Sequence, residues 1–376
     1  MSPRVATSVT AIPSDHRKLL ANYRMPPEWA PHLACYLVWP HNRDTWPGRF
    51  EYIPTVFADM AAAIAFFEPV RLMVNDEAEI EEVREMIRDS VHDLYRQQND
   101  RDIVLSRIDV FHVPTNDSWA RDHGPIFVNR VGDGDGPNQI ALDWRFNSWG
   151  QKYGAFDLDD VVPQKLGLRY NFKVIEPGIV LEGGSIDVNG AGTLLTTESC
   201  LLNKNRNPDL TRAEIEDYLK TYLGVSNILW LGDGIAGDDT DGHIDDLARF
   251  TAPDTIVTVL EEDPADANYK VLRDNLDRLH KMRDQAGHPF KIETLPMPPA
   301  LVHEGTRMPA SYANFYIANK AILMPTFNCP QDKQAAITLS RLFPNRVVVG
   351  VPSTDLVWGL GSVHCLSQQH PTPEPA

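Results

Sequence analysis

The chain has 376 residues, 43% of them hydrophobic, which is enough apolar material for a large core. Its formal net charge of −17 argues against nucleic-acid binding, which depends on lysine and arginine neutralising phosphates, and is compatible with a cationic small-molecule ligand. No run of about 18 apolar residues occurs, and the first ten residues lack the apolar block of a signal peptide, so we expect a cytoplasmic protein without a membrane partner.

Apolar runs typical of strands alternate with helical stretches along the chain. In chain order, strands are predicted at 33–39, 70–74, 108–113, 126–128, 139–145, 174–175, 193–197, 227–231, 256–260, 315–318 and 347–351. Helices are predicted at 57–67, 77–96, 209–223, 269–285 and after Gln331. No low-complexity linker divides this pattern, so we expect an α/β fold with one catalytic domain over 21–370, a flexible tail over 1–20 and another over 371–376.

Three acidic segments that contain glycine lie between the predicted strands. They read N-D-S-W-A-R-D-H-G-P at 116–125, L-E-G-G at 181–184 and D-D-T-D-G-H-I-D-D at 238–246. A strand end can hold Asp122 or Glu182 in place while the glycines let backbone approach a ligand. In His243-x-Asp245, two side chains on a strand would project into one cavity. Each segment taken alone is also typical of an ordinary loop.

Cys365 ends the segment G-L-G-S-V-H-C at 359–365 and is one of four widely spaced cysteines. The spacing indicates neither a disulfide framework nor a zinc ribbon, and a cysteine with distant partners is typical of a nucleophile. Cys35 and Cys200 lie in apolar runs, as core residues do. His364 would point away from the thiol on an extended chain, so we expect no role for it.

A thiol, a histidine and several carboxylates together suit a guanidinium substrate. Its planar fork of N–H donors matches two carboxylates, which also fix its orientation. Resonance makes the central carbon unreactive, so a thiolate is a better nucleophile than a hydroxyl, and a histidine can protonate the departing ammonia. Water would later cleave the covalent adduct.

The chain also resembles a known family. The motifs W-x-R-D-x-G-P, E-G-G, L-N-K-N-R-N-P, T-D-G-H-I-D, P-A-S-Y-x-N-F-Y-I-A-N and G-S-V-H-C-L-S-Q-Q follow one another between about Met25 and Gln369. In this order they resemble the agmatine deiminase family of the guanidine-modifying, peptidyl-arginine deiminase-like superfamily. The resemblance implies a five-bladed, pseudo-symmetric α/β propeller of ββαβ repeats around a central active-site channel. It also implies a homo-oligomer, and we expect neither a metal nor another cofactor.

The resemblance assigns roles to the residues already singled out. Cys365 resembles the nucleophile that forms an amidino-cysteine adduct, and His243 the general acid and base. Asp122 and Asp245 resemble the carboxylates that clamp the guanidinium. Glu182 resembles the acid that orients the histidine and contacts the substrate.

Other positions concern the substrate channel. Trp119 is expected to line it, and Gly361 to shape the loop that presents the thiol. The family's usual G-G-G-N-I-H-C reads G-L-G-S-V-H-C here, and Asp246 stands where asparagine is often found, which leaves substrates other than agmatine open. Asp239 is the candidate partner for agmatine's distal ammonium, and its alternative role is to cap a turn.

The sequence therefore predicts hydrolysis of agmatine to N-carbamoylputrescine and ammonia, a step toward putrescine in polyamine biosynthesis. Deimination of peptidyl-arginine or another guanidino compound is the alternative within the same chemistry. A non-catalytic binding protein of the same fold is an alternative from another class. Zinc-assisted hydrolysis through His243, Asp245, His364 and Cys365 is a further alternative, although no paired-histidine spacing supports it.

Overall fold

The computed structural model describes residues 11–132 and 135–373. Within these residues the strands form five sheets of three or four strands and one two-stranded ribbon. In each of the five sheets one strand pairs antiparallel with a second, and the second pairs parallel with a third after a helical crossover. The described part of the chain therefore contains five units of the order strand, strand, helix, strand.

The first sheet joins the two ends of the chain. Gln368–Pro371 pairs antiparallel with His32–Val38, which is followed in parallel by Val70–Val74 and Ile108–His112. The helix Ile53–Ala65 crosses between the first parallel pair, and its alanines at positions 61, 62 and 65 are buried against the sheet. The second crossover contains the helices Ile80–Leu94 and Gln98–Ser106.

The other four sheets repeat the unit along the chain, and their elements are given in the order strand, strand, helix, strand. The second has Ile126–Arg130, Gln139–Leu142, Val162–Tyr170 and Lys173–Ile175, with Tyr23–Arg24 added at its edge. The third has Asp187–Val188, Thr193–Thr197, Arg212–Leu223 and Asn227–Leu231. The fourth has Ala248–Ala252, Thr255–Leu260, Asn268–Lys281 and Lys291–Pro296, and the fifth has Tyr316–Ile317, Ala321–Thr326, Pro330–Leu342 and Val347–Pro352.

Shorter elements lie in the connections. The ribbon pairs Val302–His303 with Thr306–Arg307. Short helices are Ser14–Leu20, Ala120–His123, Ser148–Gln151 and Glu198–Leu201, and 3-10 turns are Phe50–Tyr52, Glu77–Glu79, Asp159–Val161, Gly183–Ser185, Ile244–Asp246 and Leu356–Gly359. Of the helices in the described ranges, none has the length and apolar character needed to cross a membrane.

The helix Arg212–Leu223 shows how local sequence sets these boundaries. The side chain of Thr211 accepts from the amide of Glu214 while the Glu214 carboxylate accepts from the Thr211 amide, which satisfies donors at the start of the helix. Gly224 ends the helix at φ +66°, a conformation that glycine adopts without a steric cost. The predicted helices are confirmed within a few residues. The helices Gln98–Ser106 and Val162–Tyr170 were not predicted. Gln98–Ser106 buries only Val104 and therefore lacks a clear apolar period.

Folded elements occur within both segments that were predicted as flexible tails. The helix Ser14–Leu20 packs on Arg212–Leu223, because Leu20 is buried and Arg17 forms an ion pair with Asp217. Residues 1–10 lie outside the described part. At the other end, Pro371 belongs to the first sheet and the Thr372 amide donates to the carbonyl of Pro31 at 2.7 Å, while residues 374–376 again lie outside it.

Candidate active site

Each of the five units contributes one polar side chain to a common site from the segment just before its first strand. These side chains are Cys365, Asp122, Glu182, Asp245 and Asn314, in the order of the sheets above, and each lies between two and five residues ahead of its strand. The repeated unit therefore delivers its functional groups from equivalent positions, which is why residues far apart in the chain meet.

Gly184 lies at the point where three of the predicted groups converge. A Cβ atom at this glycine would lie 2.6 Å from His243 Nδ1, 2.9 Å from Asp122 Oδ1 and 3.1 Å from Asp245 Oδ2. The Gly184 amide also donates to Asp122 Oδ1 at 3.0 Å. Any side chain here would displace the histidine or a carboxylate, so the second glycine of L-E-G-G is required by close packing and not by turn geometry.

Cys365 is buried against carboxylates and one amide. Its Sγ is 3.6 Å from Asp245 Oδ2 and accepts from Asn314 Nδ2 at 3.1 Å. Burial, together with the negative charges of Asp245 and Asp246, raises the pKa of the thiol well above its ordinary value. Asn314 also accepts from the His364 amide at 3.0 Å, so it holds both the sulfur and the adjoining backbone.

Asn314 was not predicted as a site residue. It is the first asparagine of the P-A-S-Y-x-N-F-Y-I-A-N motif, and the equivalence of the five units is the signal that could have found it.

His243 is buried between Asp122 and a second group formed by Glu182 and Cys200. Its Nδ1 lies 3.8 Å from Asp122 Oδ1, and ligand atoms of Glu182, Cys200 and His243 lie within 4.8 Å of one another. Burial lowers the pKa of His243, but Asp122 and the Cys200 sulfur outweigh burial and leave the pKa well above its ordinary value. Neither ring nitrogen has a hydrogen-bond partner among the described residues.

Asp122 and Asp245, the two predicted clamp carboxylates, have different surroundings. Asp122 accepts from Trp149 Nε1 at 2.9 Å and from the Gly184 amide, and burial raises its pKa to about 6. Asp245 Oδ2 accepts from His364 Nδ1 at 2.7 Å, while its Oδ1 has no hydrogen-bond partner in the described ranges. Burial raises the pKa of Asp245, but His364 more than offsets burial and the pKa is lowered.

Glu182 is fully buried and has a cationic partner that the sequence did not predict. Arg206 Nε donates to Glu182 Oε1 at 2.6 Å, and Arg206 Nη2 donates to the Thr240 carbonyl at 2.8 Å. Glu182 Oε2 is buried without a partner in the part of the chain described. Arg206 is the arginine of L-N-K-N-R-N-P, so the motif held the signal, but nothing in the sequence connects it to Glu182.

Two local predictions about the histidines are wrong. Asp245 lies in the 3-10 turn Ile244–Asp246 and not on a strand with His243, and the turn still brings both side chains to Gly184. His364 was expected to have no role because an extended chain would point it away. The chain turns there instead, with the Ser367 amide donating to the His364 carbonyl at 3.0 Å, and the His364 ring contacts Asp245.

The cavity above these groups has a volume of about 340 Å³. Trp119 and Cys365 line it, and Trp119 packs tightly on the cysteine loop, because a Cβ at Gly361 would lie 2.4 Å from Trp119 Cζ3. Leu360 also lines the cavity at φ +70°, a conformation that costs a non-glycine residue about 1 kcal/mol.

Asp239 lies at the wall of the same cavity, where its carboxylate accepts from the Tyr153 hydroxyl. The other carboxylates that line the cavity are Asp44, Asp117, Asp122 and Glu304, and the described lining residues include no lysine or arginine.

Two groups of side chains are close enough to share a metal ion. They are Glu182 with Cys200 and His243, and Asp245 with Asp246 and Cys365, each with ligand atoms within 4.8 Å. In the first group Arg206 already occupies one oxygen of Glu182, and in the second Asn314 donates to the sulfur. An added cation would meet the positive charge of Arg206 beside the first group and would compete with Asn314 for the sulfur of the second, so these donor sets fit a metal ion poorly.

Comparison with known proteins now identifies the family. A profile of the family described as Porphyromonas-type peptidyl-arginine deiminase matches residues 24–371. The agmatine deiminase of Pseudomonas syringae pv. tomato is 37% identical over 379 residues, which cover 93% of this chain and 96% of that protein. The chain belongs to the agmatine deiminase family of Porphyromonas-type peptidyl-arginine deiminases. The family membership predicted from the motifs is confirmed.

Solved structures of this deiminase family have the same fold. The agmatine deiminase of Enterococcus faecalis is 32% identical with a TM-score of 0.83, covering 98% of this chain and 100% of that one. A cysteine-to-serine variant of the agmatine deiminase of C. jejuni, with substrate bound, is 32% identical with a TM-score of 0.81, covering 93% of this chain and 97% of that one. The predicted mixed α/β fold is therefore confirmed at the level of the whole chain.

Proposed function

We propose that this deiminase-family protein hydrolyses agmatine to N-carbamoylputrescine and ammonia. The observation that carries the proposal is the convergence of His243, Asp122 and Asp245 around Gly184, with Cys365 Sγ 3.6 Å from Asp245 Oδ2. Asp122 and Cys365 also line a cavity whose described lining has no basic side chain except histidine. A thiol, an imidazole and two carboxylates match the needs of a guanidinium substrate. Relatives named as agmatine deiminases at 32–37% identity support agmatine as the substrate.

In the proposed complex the carboxylates clamp the guanidinium. Asp245 Oδ1 and Glu182 Oε2 are buried oxygens without a partner in the described residues, and each can accept an N–H of the substrate. Asp122 supplies the second charge of the clamp. Because a bound guanidinium offsets the charges that raise the pKa of Cys365, substrate binding favours the thiolate.

The first half of the proposed reaction releases ammonia. The Cys365 thiolate attacks the guanidinium carbon, and a C–S bond forms in a tetrahedral adduct. Protonated His243 donates its proton to one amino nitrogen, the C–N bond breaks, and ammonia leaves with the electron pair of that bond. The amidino-cysteine retains the butylamine arm of the substrate, and His243 is then neutral.

The second half regenerates the thiolate. Neutral His243 takes a proton from water as the oxygen attacks the same carbon, and the C–S bond breaks with its electron pair returning to sulfur. The hydroxyl proton of the product leaves to ammonia, which becomes ammonium. Agmatine and water are thereby converted to N-carbamoylputrescine and ammonium, with both Cys365 and His243 restored to their starting states.

The distal ammonium of agmatine is proposed to lie near Asp239. Burial raises the pKa of this carboxyl, and Tyr153 donates to it, so it offers an acceptor at the cavity wall. The α-carboxylate of free arginine would instead face Asp239 and the other lining carboxylates without a lysine or arginine among the described lining residues to receive it. The cavity therefore favours an amine over an amino acid at this end.

The finer architecture is proposed on the same basis. Five equivalent units that each deliver one side chain to a shared site support a five-bladed propeller around the active-site channel, with residues 21–370 acting as one catalytic domain. A cytoplasmic location and a homo-oligomer remain predictions that fractionation and size-exclusion chromatography can test.

The test is an assay of purified protein with agmatine, arginine, a blocked peptidyl-arginine and other guanidino compounds, in which ammonia is measured and products are identified by mass spectrometry. We expect ammonia and N-carbamoylputrescine from agmatine. Turnover of another guanidino compound but not of agmatine would replace the proposed substrate. No ammonia from any of the compounds would favour the alternative of a non-catalytic binding protein.

The Cys365→Ala variant tests the nucleophile. We expect a loss of turnover of about a thousandfold or more with an unchanged melting temperature, because this thiol is the one that forms the covalent adduct. Cys329→Ala is the control, since Cys329 precedes the helix Pro330–Leu342 and does not line the cavity. A quenched reaction should carry the adduct on the peptide containing Cys365, and residual activity above about a thousandth would exclude this thiol as the nucleophile.

A further inference from the structure

We propose that His364 is a positively charged positioning residue that keeps Asp245 ionised and fixes the orientation of its carboxylate beside Cys365. His364 lies between two buried carboxylates, with Nδ1 at 2.7 Å from Asp245 Oδ2 and Nε2 at 2.7 Å from Glu28 Oε2. All three residues are at most 5% exposed. The ring therefore bridges the active site to a glutamate near the start of the chain.

The two short contacts determine the charge of the ring. A neutral imidazole has one N–H and one lone pair, whereas an ionised carboxylate can only accept. The pKa values of Glu28 and Asp245 are lowered, so both carboxyl groups are ionised. With two ionised oxygens at 2.7 Å from the two ring nitrogens, both nitrogens must carry hydrogen, which is the imidazolium. A neutral ring would place a lone pair against one carboxylate in a buried environment, where such repulsion is strong.

Charge balance around the ring supports the same assignment. Glu28 Oε2 also accepts from Arg249 Nη2 at 2.6 Å and lies 3.7 Å from Arg121 Nη2, and Arg249 Nε donates to Asp187 at 3.0 Å. With His364 charged, this buried network has three anions and three cations, which are Glu28, Asp187 and Asp245 against Arg121, Arg249 and His364. A neutral His364 would leave one buried negative charge without a partner.

The consequence for the site concerns the orientation of Asp245. His364 Nδ1 contacts Oδ2, the oxygen that also lies 3.6 Å from Cys365 Sγ, and Oδ1 is left without a hydrogen-bond partner among the described residues. His364 is the cation in direct contact with this carboxylate, and it acts on the substrate only through Asp245. The other ionisable groups that act on Asp245 are the acids Asp122, Asp246 and Cys365 and the bases His243 and Arg249.

His364→Gln tests the inference, which in its kinetic part rests on the proposed agmatine activity. The variant removes the charge but keeps an amide donor. Without the cation, burial should raise the pKa of Asp245, so Asp245 and Asp122 would both take up protons as the pH falls. We expect KM for agmatine to rise about tenfold at about pH 8 while kcat changes less, and the fall of kcat/KM on the acid side to steepen toward about a hundredfold per pH unit.

His370→Gln is the matched control. His370 is also buried and has partners at both nitrogens, but these are the Tyr36 hydroxyl, Arg71 and the Gln139 amide, and not carboxylates. It should lose stability without changing the acid slope. Glu28→Gln should change KM in the same direction as His364→Gln by a smaller factor. A uniform loss of kcat/KM at every pH in His364→Gln would show a structural role only and overturn the proposal.

A measurement on the unmodified protein decides the charge independently of activity. In ¹⁵N-labelled free protein at neutral pH, both ring nitrogens of His364 should carry a bonded proton, and His364→Gln should remove that pair of signals. One protonated nitrogen would overturn the inference even if the variant failed to fold. If agmatine were not the substrate, the wild-type rate would be zero while this spectrum remained interpretable, so the two proposals can fail separately.

Discussion

Asp122 and Asp245 face the same site from two units of the fold, yet their carboxyl groups are held in opposite ways. Asp122 accepts hydrogen bonds from the indole of Trp149 and the amide of Gly184, with the His243 ring farther away at 3.8 Å, and burial raises its pKa to about 6. Asp245 receives a histidine ring that contacts a second carboxylate, and its pKa is lowered. Two neutral hydrogen bonds and a histidine ring at 3.8 Å do not offset the burial of Asp122, whereas the 2.7 Å contact with His364 outweighs the burial of Asp245.

The largest expected effect on kcat/KM comes from replacing each of the two carboxylates in turn. Asp245→Asn and Asp122→Asn should each lower kcat/KM for agmatine by about a thousandfold at about pH 8, where both carboxylates are ionised, because each leaves a buried guanidinium with half of its clamp. At about pH 5 the deficit of Asp122→Asn should shrink, since wild-type Asp122 is then also protonated. The deficit of Asp245→Asn should persist. Equal deficits of the two variants at both pH values would contradict the assigned difference.

The second prediction concerns the glycine that both carboxylates share. Gly184→Ala should lower kcat/KM by about a hundredfold, because a methyl group would lie within about 3 Å of His243 and of both carboxylates and displace them. Gly154→Ala is the matched control, since a Cβ there meets no atom within 4 Å. Full activity of Gly184→Ala would mean that these side chains are not held where the structure has them.

The smallest effect is the pH dependence of the unmodified protein. Asp122 must be ionised to bind a guanidinium, and its raised pKa means that it gains a proton as the pH falls through about 6. The kcat/KM for agmatine should therefore fall about tenfold for each pH unit well below that value and be unaffected by this group above about pH 7. A profile flat down to about pH 5 would show that Asp122 is not the group that titrates.

Much of the candidate site could be predicted because its reactive residues lie in short sequence motifs. Cys365, Trp119 and the carboxylates lie in motifs whose order resembles one family, and the structure brings Cys365, His243, Asp122, Asp245 and Glu182 together. The partners of these groups could not be predicted in the same way. Arg206 stands 24 residues from Glu182, and Glu28 stands 336 residues from His364, so no local pattern connects either pair.

The sequence by itself determined the alternating strands and helices, the residue types that suit a guanidinium, and the family. Those properties depend on local periodicity and on short motifs, which the order of residues contains directly. Only the tertiary structure decided the state of each group, because burial and contacts across the chain set the charge of a side chain. That is why two aspartates with the same predicted role differ in pKa, and why His364, which an extended chain would point away from the site, contacts Asp245.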